Sequence, residues 1–242
     1  MTRTGLVLLM AMLAGLAQAQ PQSDTDYHQL VLDYVNKIEN IYNGNWAYSY
    51  TVDDKLEGET RTIRRDNSLP FLEREQLVSV NGMPPSEERL QEHRERRERR
   101  LRRRQNDNDD DDDDDEEEDE KQRFLDMLVP ESIHFQKRED ELLYLGFRAM
   151  EERRRKVFEN IEGTLIIDTE REFIKELQVN VIEPFSPFFF GSIEDGHFSL
   201  RFELNDGVPM QSGITWQLDG SAFIFRDLDA DQQVEWKDIE RI

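Results

Sequence analysis

The 242-residue chain has no cysteine. That one absence removes disulfide bridges, thiolate metal sites and cysteine nucleophiles together. Histidine is nearly as scarce: His28, His93, His134 and His197 are scattered, without the H-x-x-x-H or H-E-x-x-H spacing that places two imidazoles on one zinc ion. The glycines form neither a phosphate-cradling loop nor a dinucleotide fingerprint, and no serine sits in a G-x-S-x-G elbow. No catalytic constellation is legible, so the chain reads as a non-enzyme without cofactor or metal. Positive charge is also in deficit, with 31 Lys and Arg against 54 Asp and Glu and a formal charge of −23. Phosphate backbones need clustered cations, which argues against nucleic acid as a partner. Long apolar runs are missing too, and none reaches the roughly 20 residues that a helix needs to cross a bilayer.

What is present begins with an export signal. Met1-Thr-Arg-Thr carries one positive charge, Gly5–Leu16 is apolar, and Ala17-Gln-Ala19 makes an A-x-A cleavage site before Gln20. The compact layout is of the bacterial type. Leu13-Ala14-Gly15 would open a lipoprotein acylation box, but Leu16 stands where the cysteine belongs. Residues 1–19 are therefore expected to be removed, leaving a soluble periplasmic or secreted protein without a transmembrane segment.

The rest, 20–242, reads as a single β-rich domain. Its clearest unit is a hairpin: two β-branched runs, Gly163–Ile167 and Phe173–Ile182, joined by Asp168-Thr-Glu-Arg171. From Leu177 onward odd positions are apolar and even ones polar, which suits a sheet with one face in the core and one in water. Trp46–Val52 alternates most cleanly, with Trp46, Tyr48, Tyr50 and Val52 on one face. Further strands are predicted near Gly58–Arg65, Leu72–Val80, Ser132–Gln136, Leu142–Met150, His197–Leu204, Gln211–Leu218, Ser221–Arg226 and Gln233–Ile239. Turns are expected at Asn81-Gly82, Asn205-Asp-Gly207 and Asp219-Gly220. Ahead of the strands, Leu30, Val31, Tyr34, Val35, Ile38 and Ile41 share one side of a predicted amphipathic helix over Tyr27–Tyr42. Phe124, Leu125, Leu128 and Val129 suggest a second, short helix stopped by Pro130.

Residues 86–122 differ in kind. Residues 87–120 hold eighteen acids and nine arginines, basic first and almost purely acidic after Asn106. Leu90 and Leu101 are too far apart to form an apolar stripe by themselves. Like-charge blocks cannot bury surface, so the segment is expected to be a solvated low-complexity insertion, a charged helix at best followed by disordered polyanion, in preference to an arginine-rich contact surface or an electrostatic calcium buffer. Asp227-Leu-Asp-Ala-Asp231 resembles the start of a calcium loop, with Glu235 at its ninth position and Asp238 at its twelfth, but Gln232 replaces its glycine and the flanks read as strands, which favours a plain polar loop.

The aromatic faces are the better signal. Trp46, Tyr48, Tyr50, Phe198, Phe202, Trp216 and Phe223 are candidate lining residues, since one helix cannot cover so many strands. The signal peptide, the long helix, the aromatic strand, the Val80-Asn-Gly82 turn, Glu162-Gly-Thr-Leu-Ile-Ile-Asp168 and the final meander together resemble the periplasmic outer-membrane lipoprotein carrier (LolA/LolB-like) superfamily. The similarity spans residues 25–83 and 130–242. It implies an unclosed antiparallel half-barrel with helices on its hollow side that binds acyl chains or lipidated partners, and it assigns no role to an individual residue. The expected fold is thus mainly β: an antiparallel half-barrel or barrel with an N-terminal amphipathic helix packed on the sheet and the charged insertion between strands. The expected function is an exported carrier for lipid or lipoprotein acyl chains. The alternative is an envelope protein–protein interaction or sensor module with no small-molecule ligand.

Overall fold

A computed structural model describes residues 24–41, 46–107, 129–148, 160–188, 191–222, 226–227 and 230–242. In chain order the elements are α1 (Asp24–Val35), β1 (Trp46–Asp54), β2 (Glu59–Asp66), β3 (Glu75–Val80), α2 (Glu87–Asp107), a 3-10 turn (Pro130–Ser132), β4 (His134–Glu139), β5 (Leu142–Phe147), β6 (Ile161–Asp168), β7 (Phe173–Val181), β8 (Phe185–Phe188), β9 (Gly191–Asn205), β10 (Val208–Ala222), β11 (Arg226–Asp227) and β12 (Ala230–Arg241).

The strands form one mainly antiparallel sheet in the order β3-β2-β1-β12-β10-β9-β7-β6-β5-β4, with β11 beside β10 and β8 beside β9. The last strand pairs with the first, so β12 joins the two halves of the chain. β3 and β4 are its two ends, and the sheet is open, not a closed barrel. Local chemistry explains the hairpins. Asp206 and Gly207 both have positive φ, the conformation a two-residue turn between twisted strands requires. Asp168 Oδ1 accepts the amide protons of Glu170 and Arg171, closing the β6–β7 turn.

Several expectations are corrected. The first helix stops at Val35 and not Tyr42: Lys37 N and Ile38 N turn back to Tyr34 O and Val35 O, and Glu39 N then donates to Pro209 O at 3.0 Å. The backbone leaves the helix to pair with β10, while Ile38 and Ile41 still pack inward. Asp219-Gly220 is not a hairpin turn, because β10 runs through it with a bulge opposite β9. The charged insertion, expected to be solvated, is over Glu87–Asp107 a helix that docks on the sheet side. Residues 108–122, the proposed signal peptide, the helix from Arg123 up to Leu128 and Phe223 lie outside the described residues.

Two cores result. The larger places Tyr27, Val31, Tyr34 and Val35 of α1 against Leu143, Leu145, Leu165, Leu177 and Phe202. A second gathers Ile41, Trp46, Tyr48, Met210 and Trp236. Asn67 ties the second core to β2: it is buried, its Nδ2 donates to Ile41 O at 3.0 Å and its Oδ1 accepts from Arg65 Nε at 2.7 Å.

Candidate functional site

Strand register builds the apolar face row by row. Val52, Val234, Ile214, Leu200, Leu177, Leu165 and Leu145 are successive cross-strand partners from β1 to β5. One step along the strands, Trp216, Phe198, Val179, Gly163 and Phe147 form a parallel row. The intervening positions carry polar ladders on the opposite face: Thr51 with Thr62, Asn180 with His197, and Ser199 with Glu176. A one-residue slip would exchange these sets, so register and amphipathicity fix each other.

Coverage of the apolar face is uneven. Under α1, Leu177, Leu165 and Leu145 are 2% exposed or less. Toward the centre Leu200, Ile214, Val234 and Val52 are only half-buried, and Trp216 is 50% exposed. In the row of Gly163 the sheet is packed tightly: a Cβ there would meet the Phe147 ring at 2.1 Å. Only a glycine lets that ring lie across β6.

The seven aromatic candidates separate accordingly. Trp46 and Tyr48, 8% and 1% exposed, belong to the second core, and Phe202 is buried in the first. Tyr50 is half-buried and stacks on Trp236 with centroids 6.4 Å apart. Burial, and then the carboxylate of Glu75, push its hydroxyl above the ordinary tyrosine range. Phe198 and Trp216 are direct cross-strand partners, half-buried and exposed respectively. They are the pair that the structure brings together at a solvent-accessible apolar surface. Phe223 falls outside the described residues.

At the β1–β3 side the apolar face is closed by α2. Its inward stripe is Leu90, His93, Arg97 and Leu101, spaced by about one helical turn each. Arg97 is 5% exposed and makes the dock: Nη1 donates to Leu72 O and Glu75 O at 2.7 Å each, and Nη2 donates to Phe71 O. Its guanidinium also lies 5.7 Å from the Phe71 ring centroid. At the start of the helix Ser86 Oγ accepts Arg89 N, and Arg89 pairs with Glu59 on β2. Outward positions are neutralised by i,i+4 pairs, Glu95 with Arg99 and Glu98 with Arg102. The sequence allows a charged helix here but does not reveal that it docks, because two of its four inward residues are polar and no apolar periodicity marks the face.

No family model, no curated protein and no solved structure matches this chain. The site must be judged on its own geometry. The calcium-like positions Asp231, Glu235 and Asp238 lie along extended β12, where successive residues are about 3.3 Å apart and cannot converge on one ion. Asp231 instead pairs with Lys55 at 3.2 Å. Among the described residues no group of acids and histidines is arranged to hold a metal, and no helix is long and apolar enough to cross a membrane. What the arrangement offers is a strip of apolar side chains between two helices.

Proposed function

We propose that this protein binds an apolar ligand, a lipid or the acyl chains of a lipoprotein, on the central strip of the sheet. The observation that carries the proposal is the half-covered band from Val52 to Phe198, in which Trp216 is 50% exposed. A large aromatic left half in water beside five partly buried aliphatic and aromatic neighbours loses hydrophobic stabilisation that a ligand would restore. Open sheet, covering helix and apolar face also suit the resemblance to the lipoprotein-carrier superfamily. The reading includes export of the mature chain to the periplasm, on the strength of the N-terminal signal pattern.

Native mass spectrometry of protein recovered from the periplasm tests it. A co-purifying lipid mass supports the carrier; a bare mass together with no binding of a fluorescent fatty-acid analogue supports the alternative envelope interaction module.

A further inference from the structure

We infer that the arginine face of α2 around Arg100 is an interaction surface for a polycarboxylate segment, and that its occupant is the acidic tract 109–120 of the same chain.

The spacing of charge along α2 leads there. Up to Glu98 the helix carries its own counter-charges. Arg89 pairs with Glu92, Arg94 with Glu87, Arg96 with Glu92, and Arg99 and Arg102 reach back to Glu95 and Glu98. After Glu98 no acid follows before Asp107, and Arg100 is left over. It is exposed and has no ion pair among the described residues. The helix positions three and four residues to either side of it, 96, 97, 103 and 104, are all arginine. Those positions neighbour Arg100 on a helix surface, and like charges so placed destabilise the helix. Docking nevertheless holds the cluster in place, because Arg97 is fixed to Phe71 O, Leu72 O and Glu75 O. A rigid cationic centre of this kind calls for an anionic partner.

The chain supplies one. Residues 109–120 are twelve consecutive acids that begin five residues beyond Arg104. Extended, such a tract reaches up to about 40 Å, whereas positions 96–104 span only about 12 Å of helix. A tethered segment acts at an effective concentration of about a millimolar or more. The formal charge of −23 meanwhile repels polyanions from outside. Exposed ion pairs are individually weak and screened by salt, so the contact rests on many charges acting together.

The test compares the full-length chain with a variant in which every Asp of 109–120 becomes Asn and every Glu becomes Gln. In about 20 mM NaCl, hydrogen exchange over 96–107 should be about tenfold faster in the variant, and in about 0.5 M NaCl the two should agree. A twelve-residue aspartate peptide should bind the variant, and wild type about tenfold more weakly, because the tract already occupies the face. Arg100→Gln in the variant background should weaken the peptide severalfold without moving the urea midpoint. Equal exchange at low salt, a difference undiminished at high salt, or equal peptide affinity for the two chains overturns the proposal. So does unchanged peptide affinity on Arg100→Gln. A variant that binds phosphatidylglycerol vesicles but not the peptide assigns the face to a lipid surface instead.

Discussion

Tyr48 and Trp216 lie on the same face of one sheet, and truncating each should have opposite consequences. Tyr48 is 1% exposed and packed with Ile41, Trp46, Met210 and Trp236. Tyr48→Ala leaves a void the size of an aromatic ring in a core that cannot collapse around it, costing roughly 3–5 kcal/mol. Trp216 is 50% exposed, and Trp216→Ala gives up only about half of the burial of a large apolar side chain, on the order of 1 kcal/mol. Urea midpoints of the two variants measure the first effect. The second is read by titrating a fluorescent fatty-acid analogue, where Trp216→Ala should weaken binding severalfold. The chain has three tryptophans, and Trp46 and Trp236 are each 8% exposed, so acrylamide quenching in the wild type reports mainly on Trp216. Bound ligand should protect it. The reasoning is refuted if Tyr48→Ala unfolds near the wild-type midpoint, or if Trp216→Ala collapses stability while leaving affinity unchanged.

Three further outcomes are expected. Gly163→Ala should destabilise by about 1–3 kcal/mol through the clash with the Phe147 ring, and much less in a Phe147→Leu background; equal costs in both, by urea denaturation, would show that the ring is not the obstacle. Arg97→Ala should free α2 by removing its contacts to three carbonyls, on the order of 3 kcal/mol, and hydrogen exchange over Glu87–Asp107 should rise while β6 and β7 stay protected. Docking of α2 should also weaken in acid, because burial lowers the pKa of His93 more than Glu75 raises it. Its contribution is complete above the ordinary histidine value of about 6.5 and is lost as pH falls through the depressed folded value; unchanged exchange in α2 between pH 7.5 and pH 5 would contradict this.

Much of the sheet was legible in the sequence because alternation is a local property. The pattern Leu177, Val179, Val181 marks a strand whatever it pairs with, and Asp206-Gly207 marks a turn because both residues accept positive φ. The boundary at Val35 was not, since Ile38 and Ile41 continue the helical spacing; the chain departs only because Pro209 offers Glu39 a distant acceptor. Asp219-Gly220 has turn chemistry but was overruled by the ladder to β9, which continues through it. The division among the aromatics was equally hidden. Trp46, Tyr48, Phe202 and Trp216 look alike in an alternating run, and which is sealed depends on where the two helices come to rest.

The sequence by itself determined a two-faced antiparallel sheet, since a period of two with apolar residues on one side admits no other regular structure. Tertiary structure alone decided that the arginine-rich segment docks and which part of the apolar face stays uncovered. Arg97 is an ordinary charged residue until the turn at Phe71–Glu75 presents three carbonyls to it, and no local pattern encodes that meeting. Arg61 likewise stands beside Val52 and Val80 only through strand pairing, not through proximity in the chain.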